Sequence, residues 1–393
     1  MTRKLRRWPS LALVAPVLLL AGCSAERSST GDRPSASAPA QRYPDWDTDF
    51  SEHAVPLSQF DDGGPPRDGI PPIDHPKPVP PAAGDRFLSA REPVIAVRVG
   101  GAARAYPEQV LVWHEIVNDV LGGRPIAVTY CPLCNSALVF DRRVRGRTLS
   151  FGTTGKLRNS DLVMWDRRTQ SWWQQFSGTA LVGDYTGTKL APLPSQVLSW
   201  AQFKAAYPRG TVLSTDTGFD RPYGTNPYAG YDSDPANQPF LYRGRLDPRL
   251  PPMERVVAAF AGGDAVVVPF ARLARHPVLS ASVGGRPLVV FYAPGVASAL
   301  DREGIAESRD VGTAGVFDPR LGGRRLRFHA VGESRFGDQT GSTWEISGRA
   351  LSGPLRGQRL RPLRHDEQFW FALAAFLPQA RLLGDARPAT DGR

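Results

Sequence analysis

A chain of 393 residues, 41% hydrophobic and 22% charged, is long enough for two ordinary domains that each bury a core. Its formal net charge of +10 is carried mostly by arginines scattered along the chain, without a lysine-rich run, a basic helix or a nucleic-acid module, which excludes nucleic acid as the expected partner. The 39 glycines and 37 prolines point to many turns between short elements, and so to a β-rich α+β protein built from hairpins with a few short helices.

At the N-terminus, Arg3, Lys4, Arg6 and Arg7 precede the apolar run Leu11 to Leu20, which is too short to span a bilayer as a mature helix, and LAGC ends at Cys23. This order resembles the signal and lipobox of bacterial lipoproteins. The resemblance implies cleavage after residue 22 and acyl chains such as palmitate on Cys23, hence an extracytoplasmic protein anchored in a membrane of the cell envelope. Residues 23–65 open with a Ser, Ala, Pro and Arg-rich stretch and are read as a flexible tether.

Beyond the tether the chain repeats itself. VIAVRVGG at Val94 matches VVAAFAGG at Val256, and GGRPIAV at Gly122 matches GGRPLVV at Gly284, at a constant offset of 162 residues. Later segments continue the match, TQSWWQQFSGTAL from Thr169 with TGSTWEISGRAL from Thr340. The expected layout is a first repeat over 66–214, a linker or lid rich in Asp, Gly, Pro and Tyr over 215–252, a second repeat over 253–383 and a disordered tail over 384–393. Residues common to both copies, such as Trp173 with Trp344 and Trp200 with Trp370, are expected to be scaffold. Residues found in one copy are candidates for function.

The sharpest difference is the pair Cys131 and Cys134 in VTYCPLCNSALVF, because the second copy reads VFYAPGVASAL. With Cys23 lipidated, these are the remaining cysteines. PIAVTY reads as a strand ending at Cys131, and IVNDVL as its partner across a tight Gly122-Gly123 turn. Extended backwards, that register sets His114 across from Cys131, with β-carbons roughly 5 Å apart. His114, Cys131 and Cys134 then suit copper or zinc with an open coordination position. They also suit thiol redox chemistry or a structural thiol pair, and all three readings stand at this point, as does the question of enzymatic activity. A thioredoxin fold is disfavoured because strands, not a helix, are expected after CPLC.

Near this trio, Glu115, Asn118 and Asp119 have no counterpart in the second copy. Asn118 is expected on the face of His114, where it would orient the ring or lend an oxygen. In FGTTGKLRNSD the glycines lack P-loop spacing, yet Lys156, Asn159 and Asp161 belong to the first copy alone and are candidates to line the same cleft. Asp216, Asp220, Asp232 and Asp234 in the linker lack the spacing of an EF-hand loop.

Taken together, AYPEQVLVWHEIVNDVLGGRPIAVTYCPLCNSALVFDR, SFGTTGKLRNSDLVMWDRRTQSWWQQFSGTALVG and PYGTNPYAGYDSD resemble the bacterial family catalogued as domain of unknown function 3179, from about Gly69 to Pro378. The resemblance implies that HEIVND and CPLC occur together as a signature of the first copy. It attaches no activity, substrate or cofactor.

Overall fold

In the computed structural model, which describes residues 43–383, the Gly122-Gly123 corner closes the expected hairpin. Both glycines take positive φ, 55° and 77°, and a Cβ on Gly122 would stand 2.6 Å from the Val99 carbonyl oxygen, so only glycine fits that corner. The signal segment, Cys23, the start of the tether and the tail from residue 384 lie outside the described residues.

The first half opens with β1 (Pro93–Val99) and β2 (Ala102–Pro107), then α1 (Glu108–His114). The hairpin of β3 (Ile116–Leu121) and β4 (Arg124–Cys131) follows, with β5 (Ser136–Asp141) paired to β4. A second hairpin is made by β6 (Phe151–Arg158) and β7 (Asp161–Asp166). Three larger sheets result, beside the two-stranded ribbon of Arg143–Val144 and Arg147–Thr148. In one, Ser195–Ser199, β1, β2, Thr211–Leu213 and Pro78–Val79 lie side by side. In the next, the order is Ala191–Leu193, β5, β4 and β3. In the third, Asp61–Asp62, β6, β7, Trp172–Gln174 and Thr179–Val182 are neighbours.

The second half lays down its strands in the same order. His365–Phe369, Arg255–Ala261, Asp264–Pro269 and Arg381–Leu382 form one sheet, and Arg361–Pro362, Thr313–Asp318, Arg286–Ala293 and Val278–Val283 another. Phe328–Ala330, Phe336–Asp338, Thr343–Trp344 and Ala350–Ser352 form the third. With 41% strand and 11% helix the protein is β-rich, and no helix among the described residues is long and apolar enough to cross a membrane.

Scaffold tryptophans are buried in both halves, and Trp173 and Trp344 each donate an indole N–H to an aspartate, Asp166 at 2.9 Å and Asp338 at 2.8 Å. The halves share cores. Phe369, Phe371 and Ala372 pack into the cluster that holds Cys131 and Cys134, and the Phe369 N–H donates to the Cys134 carbonyl at 2.9 Å.

One described segment differs from expectation. Residues 43–65, read as tether, pack onto sheet three: Tyr43, Phe50 and Phe60 are buried around Trp172, because four aromatic side chains, counting Trp46, supply the apolar surface that the Ser/Ala/Pro stretch before them lacks. The linker is bonded to both halves. Asp232, fully buried, pairs with Arg255 at 2.5 Å and accepts from Ser298, while Tyr231 donates its hydroxyl to the Leu133 carbonyl at 2.9 Å.

Candidate metal centre

The hairpin register deduced from the glycine corner holds from Leu121↔Arg124 to Ile116↔Thr129, with one further bond from the Tyr130 N–H to the Glu115 carbonyl at 2.8 Å. His114 is not in a strand. After Pro107, the helix-compatible run EQVLVWH forms α1 with Val110 and Leu111 buried, and the chain leaves the helix through Glu115 at φ 55°. The pairing of His114 with Cys131 is therefore corrected: Cys131 faces Ser136 of β5. The His114 ring is engaged elsewhere, Nδ1 with the Pro71 carbonyl at 2.7 Å and Nε2 with the Tyr223 hydroxyl at 2.6 Å. Because a carbonyl only accepts, Nδ1 carries the proton and Nε2 accepts from Tyr223. Burial holds this imidazole below its usual pKa, in keeping with a neutral ring that ties the linker to the first half.

Asn118 and Asp119 also leave the expected cluster. The Asn118 amide donates to Asp74 at 2.7 Å and to the Phe151 carbonyl at 2.8 Å, and its oxygen accepts from the Phe151 N–H at 3.0 Å, so it joins β3 to β6 instead of orienting His114. Asp119 accepts from the Tyr106 hydroxyl at 2.7 Å and from Arg104. Both serve the sheet: they stand across from Ala127 and Ile126, well before Cys131 along β4, and as consecutive strand residues they point to opposite faces.

What the fold brings to the two cysteines is Asp161. The two sulfurs and a carboxylate oxygen of Asp161 lie within 4.8 Å of one another, the one such group of His, Cys, Asp or Glu side chains among the described residues. Both thiols are free. Cys131 is 1% exposed, Cys134 0% and Asp161 0%. The β6–β7 turn makes the meeting possible: Asn159 and Ser160 take φ of 54° and 62°, a two-residue corner that starts β7 at Asp161 and turns the Ser160 carbonyl to within 3.4 Å of Cys134 Sγ and 3.8 Å of Cys131 Sγ. Among the described residues, four of the eight non-glycine residues with positive φ flank this site, Glu115, Asn135, Asn159 and Ser160, a concentration of backbone strain typical of a functional centre.

Burial dominates the electrostatics, with the half-buried Arg158 guanidinium the weaker opposing influence on Asp161. Burial raises the Asp161 carboxyl to about 7, against donation from the Phe176 N–H and Gln174. Burial, and then the charge of Asp161, raises Glu115 to about 8. Burial likewise pushes both thiols up, Cys134 furthest. Asp161 Oδ2 accepts from the Phe176 N–H at 3.0 Å and from Gln174, whereas Asp161 Oδ1, although buried, has no hydrogen-bond partner among the described residues. An unpartnered buried acceptor of this kind costs about 1–3 kcal/mol.

Beside the trio is a cavity of about 120 Å³ whose wall includes Glu115, Leu133, Leu162, Lys156 and the linker residues Tyr228 and Phe240. Lys156 thus lines the adjoining space, with its ammonium 3.0 Å from Asp62, and not the sulfur cluster. The linker covers the region, since Ser160 donates to the Phe240 carbonyl at 2.6 Å. Its aspartates are dispersed: Asp216 pairs with Lys77, Asp232 with Arg255, and Asp234 caps its own turn at Ala236. Asp161 was legible in sequence only as a residue peculiar to the first copy. The Asn-Ser corner before it, a favoured two-residue hairpin composition at its first position, was the signal that would have brought it to the cysteines.

No curated protein and no solved structure matches this chain. The family described as Protein of unknown function (DUF3179) matches residues 67–380, the span that contains the α1–β3 segment, the CPLC loop and Asp161. With four fifths of its length matched, this chain belongs to the DUF3179 family.

Proposed function

We propose that the first half binds one transition-metal ion through Cys131 Sγ, Cys134 Sγ and the Asp161 carboxylate, and that zinc(II) is the best-matched ion. The observation that carries this reading is the convergence of these three groups within 4.8 Å, all buried. Donor atoms around one tetrahedral zinc stand about 3.5–4 Å apart, so small rotations suffice to close on it. The mixed sulfur and oxygen set favours zinc over copper(I), which selects soft ligands throughout. A dication would offset the cost of three buried acids in ionised form, and its binding would release their protons. Three protein donors would leave one coordination position open.

Thiol-disulfide exchange is less well supported, because sulfurs at 1% and 0% exposure with raised pKa values are poor nucleophiles. The same burial suits the remaining alternative, a binding or scaffold lipoprotein whose cysteines are structural. Titrating the metal-free chain with zinc against a chromophoric chelator separates the readings. Stoichiometric binding, weakened at least about 100-fold by Cys131→Ser, Cys134→Ser or Asp161→Asn, supports the centre. Binding absent in the parent chain, or indifferent to all three substitutions, sinks it.

Two further readings belong to this proposal. The matching strand orders of the two halves and the repeated sequence support a duplicated unit with its site retained in the first copy. The order of basic, apolar and LAGC segments supports an envelope lipoprotein acylated at Cys23, testable by the release of Cys23→Ala from the membrane fraction.

A further inference from the structure

A second cavity, of about 100 Å³, opens at the seam between the halves and contains none of Cys131, Cys134 and Asp161. Arg98 and Ser195 come from the first half, and Ser347, Arg359 and His365 from the second. No aspartate or glutamate lines it. Neither Arg98 nor Arg359 makes an ion pair among the described residues, and the nearby acid, Glu345, is held by Arg349 at 2.7 Å and by the Ser347 hydroxyl at 3.0 Å. Arg359 is fixed in place, stacked 4.8 Å from the Tyr207 ring and donating to the Ala206 carbonyl at 2.6 Å. Two guanidiniums are thus brought to one cavity without a counter-charge, the arrangement that recognises an oxyanion.

The wall also holds His365, which is 5% exposed. Its Nδ1 lies 2.9 Å from the Leu363 carbonyl and must carry a proton, while its Nε2, buried, has no partner among the described residues. Burial keeps the ring neutral, so Nε2 offers a lone pair and calls for a donor. The space holds a few waters or one four-oxygen anion.

We propose that this seam cavity binds hydrogen phosphate, with Arg98 and Arg359 neutralising the anion and His365 Nε2 accepting its remaining P–OH. Hydrogen phosphate keeps that O–H across the neutral range. Sulfate has none, and phosphomonoesters have largely lost theirs at neutral pH.

The test is calorimetric titration of the full chain at neutral pH with sodium phosphate and, separately, with sodium sulfate, repeated on Arg98→Gln and Arg359→Gln. Arg98 is exposed, so its substitution leaves the fold intact, as unchanged thermal unfolding will verify. Saturable binding of one phosphate is expected, with sulfate at least about tenfold weaker and each substitution costing at least about tenfold. Equal affinity for the two anions overturns the role of His365. Absence of phosphate binding at millimolar concentration, or binding that survives both substitutions, overturns the site.

Discussion

Replacing Asp161 by asparagine is expected to flatten the pH dependence of stability of the metal-free protein. Burial holds this carboxyl at about 7 against an ordinary value of 3.8. The folded value lies above the unfolded one, so the stability linked to this group is complete below the ordinary value and is lost as pH rises through about 7. The gap corresponds to about 4 kcal/mol, of which about 2–3 kcal/mol falls between roughly pH 5 and pH 8. Glu115, raised to about 8 partly by the charge of Asp161, loses stability in the same direction and keeps some slope in the variant. The assay is urea denaturation followed by tryptophan fluorescence after chelator treatment, at several pH values across that window. The parent chain should lose at least about 2 kcal/mol more than Asp161→Asn. Saturating zinc should reverse the trend, because ligand protons leave on binding and affinity rises with pH. Identical slopes for the two metal-free proteins would refute the claim that a buried, ionising Asp161 dominates the site.

His114→Ala should cost about 2–4 kcal/mol by leaving the Pro71 carbonyl without its donor and the Tyr223 hydroxyl with Thr217 as its remaining partner, yet change zinc affinity less than about threefold; a collapse of metal binding comparable to that in Cys131→Ser would place the imidazole at the sulfur cluster. Arg255→Met strips the buried Asp232 of its shortest ion pair and should destabilise by about 3–5 kcal/mol, read as a lowered denaturation midpoint. Thiol labelling of the metal-free native chain should be slow and should accelerate when Tyr231→Phe removes the hydroxyl bond to Leu133; labelling at the rate of a free cysteine would contradict the burial of both sulfurs. Gly122→Ala should cost at least about 1 kcal/mol in thermal unfolding, since its Cβ would meet the Val99 carbonyl at a positive φ.

Patterns local to the chain were legible in the amino-acid order. The paired glycines set the β3–β4 register, because two consecutive positive-φ residues define one tight turn and strand pairing then counts outward from it. The β-rich class, the burial of the paired tryptophans and the singling out of CPLC followed from composition and from comparing the chain with itself. The strand ends short of His114 because Pro107 and a short helix intervene before Ile116, and alternation says nothing about where a strand begins. Which side chain meets the sulfurs was decided by tertiary structure alone. Asp161 lies on another sheet, about thirty residues on in the chain, and reaches Cys131 and Cys134 only after the Asn159-Ser160 corner reverses β6 and the two sheets join one core. Contacts between sheets depend on crossing and packing that no local period encodes, and so an aspartate near in space, not the histidine nearer in sequence, meets the two sulfurs.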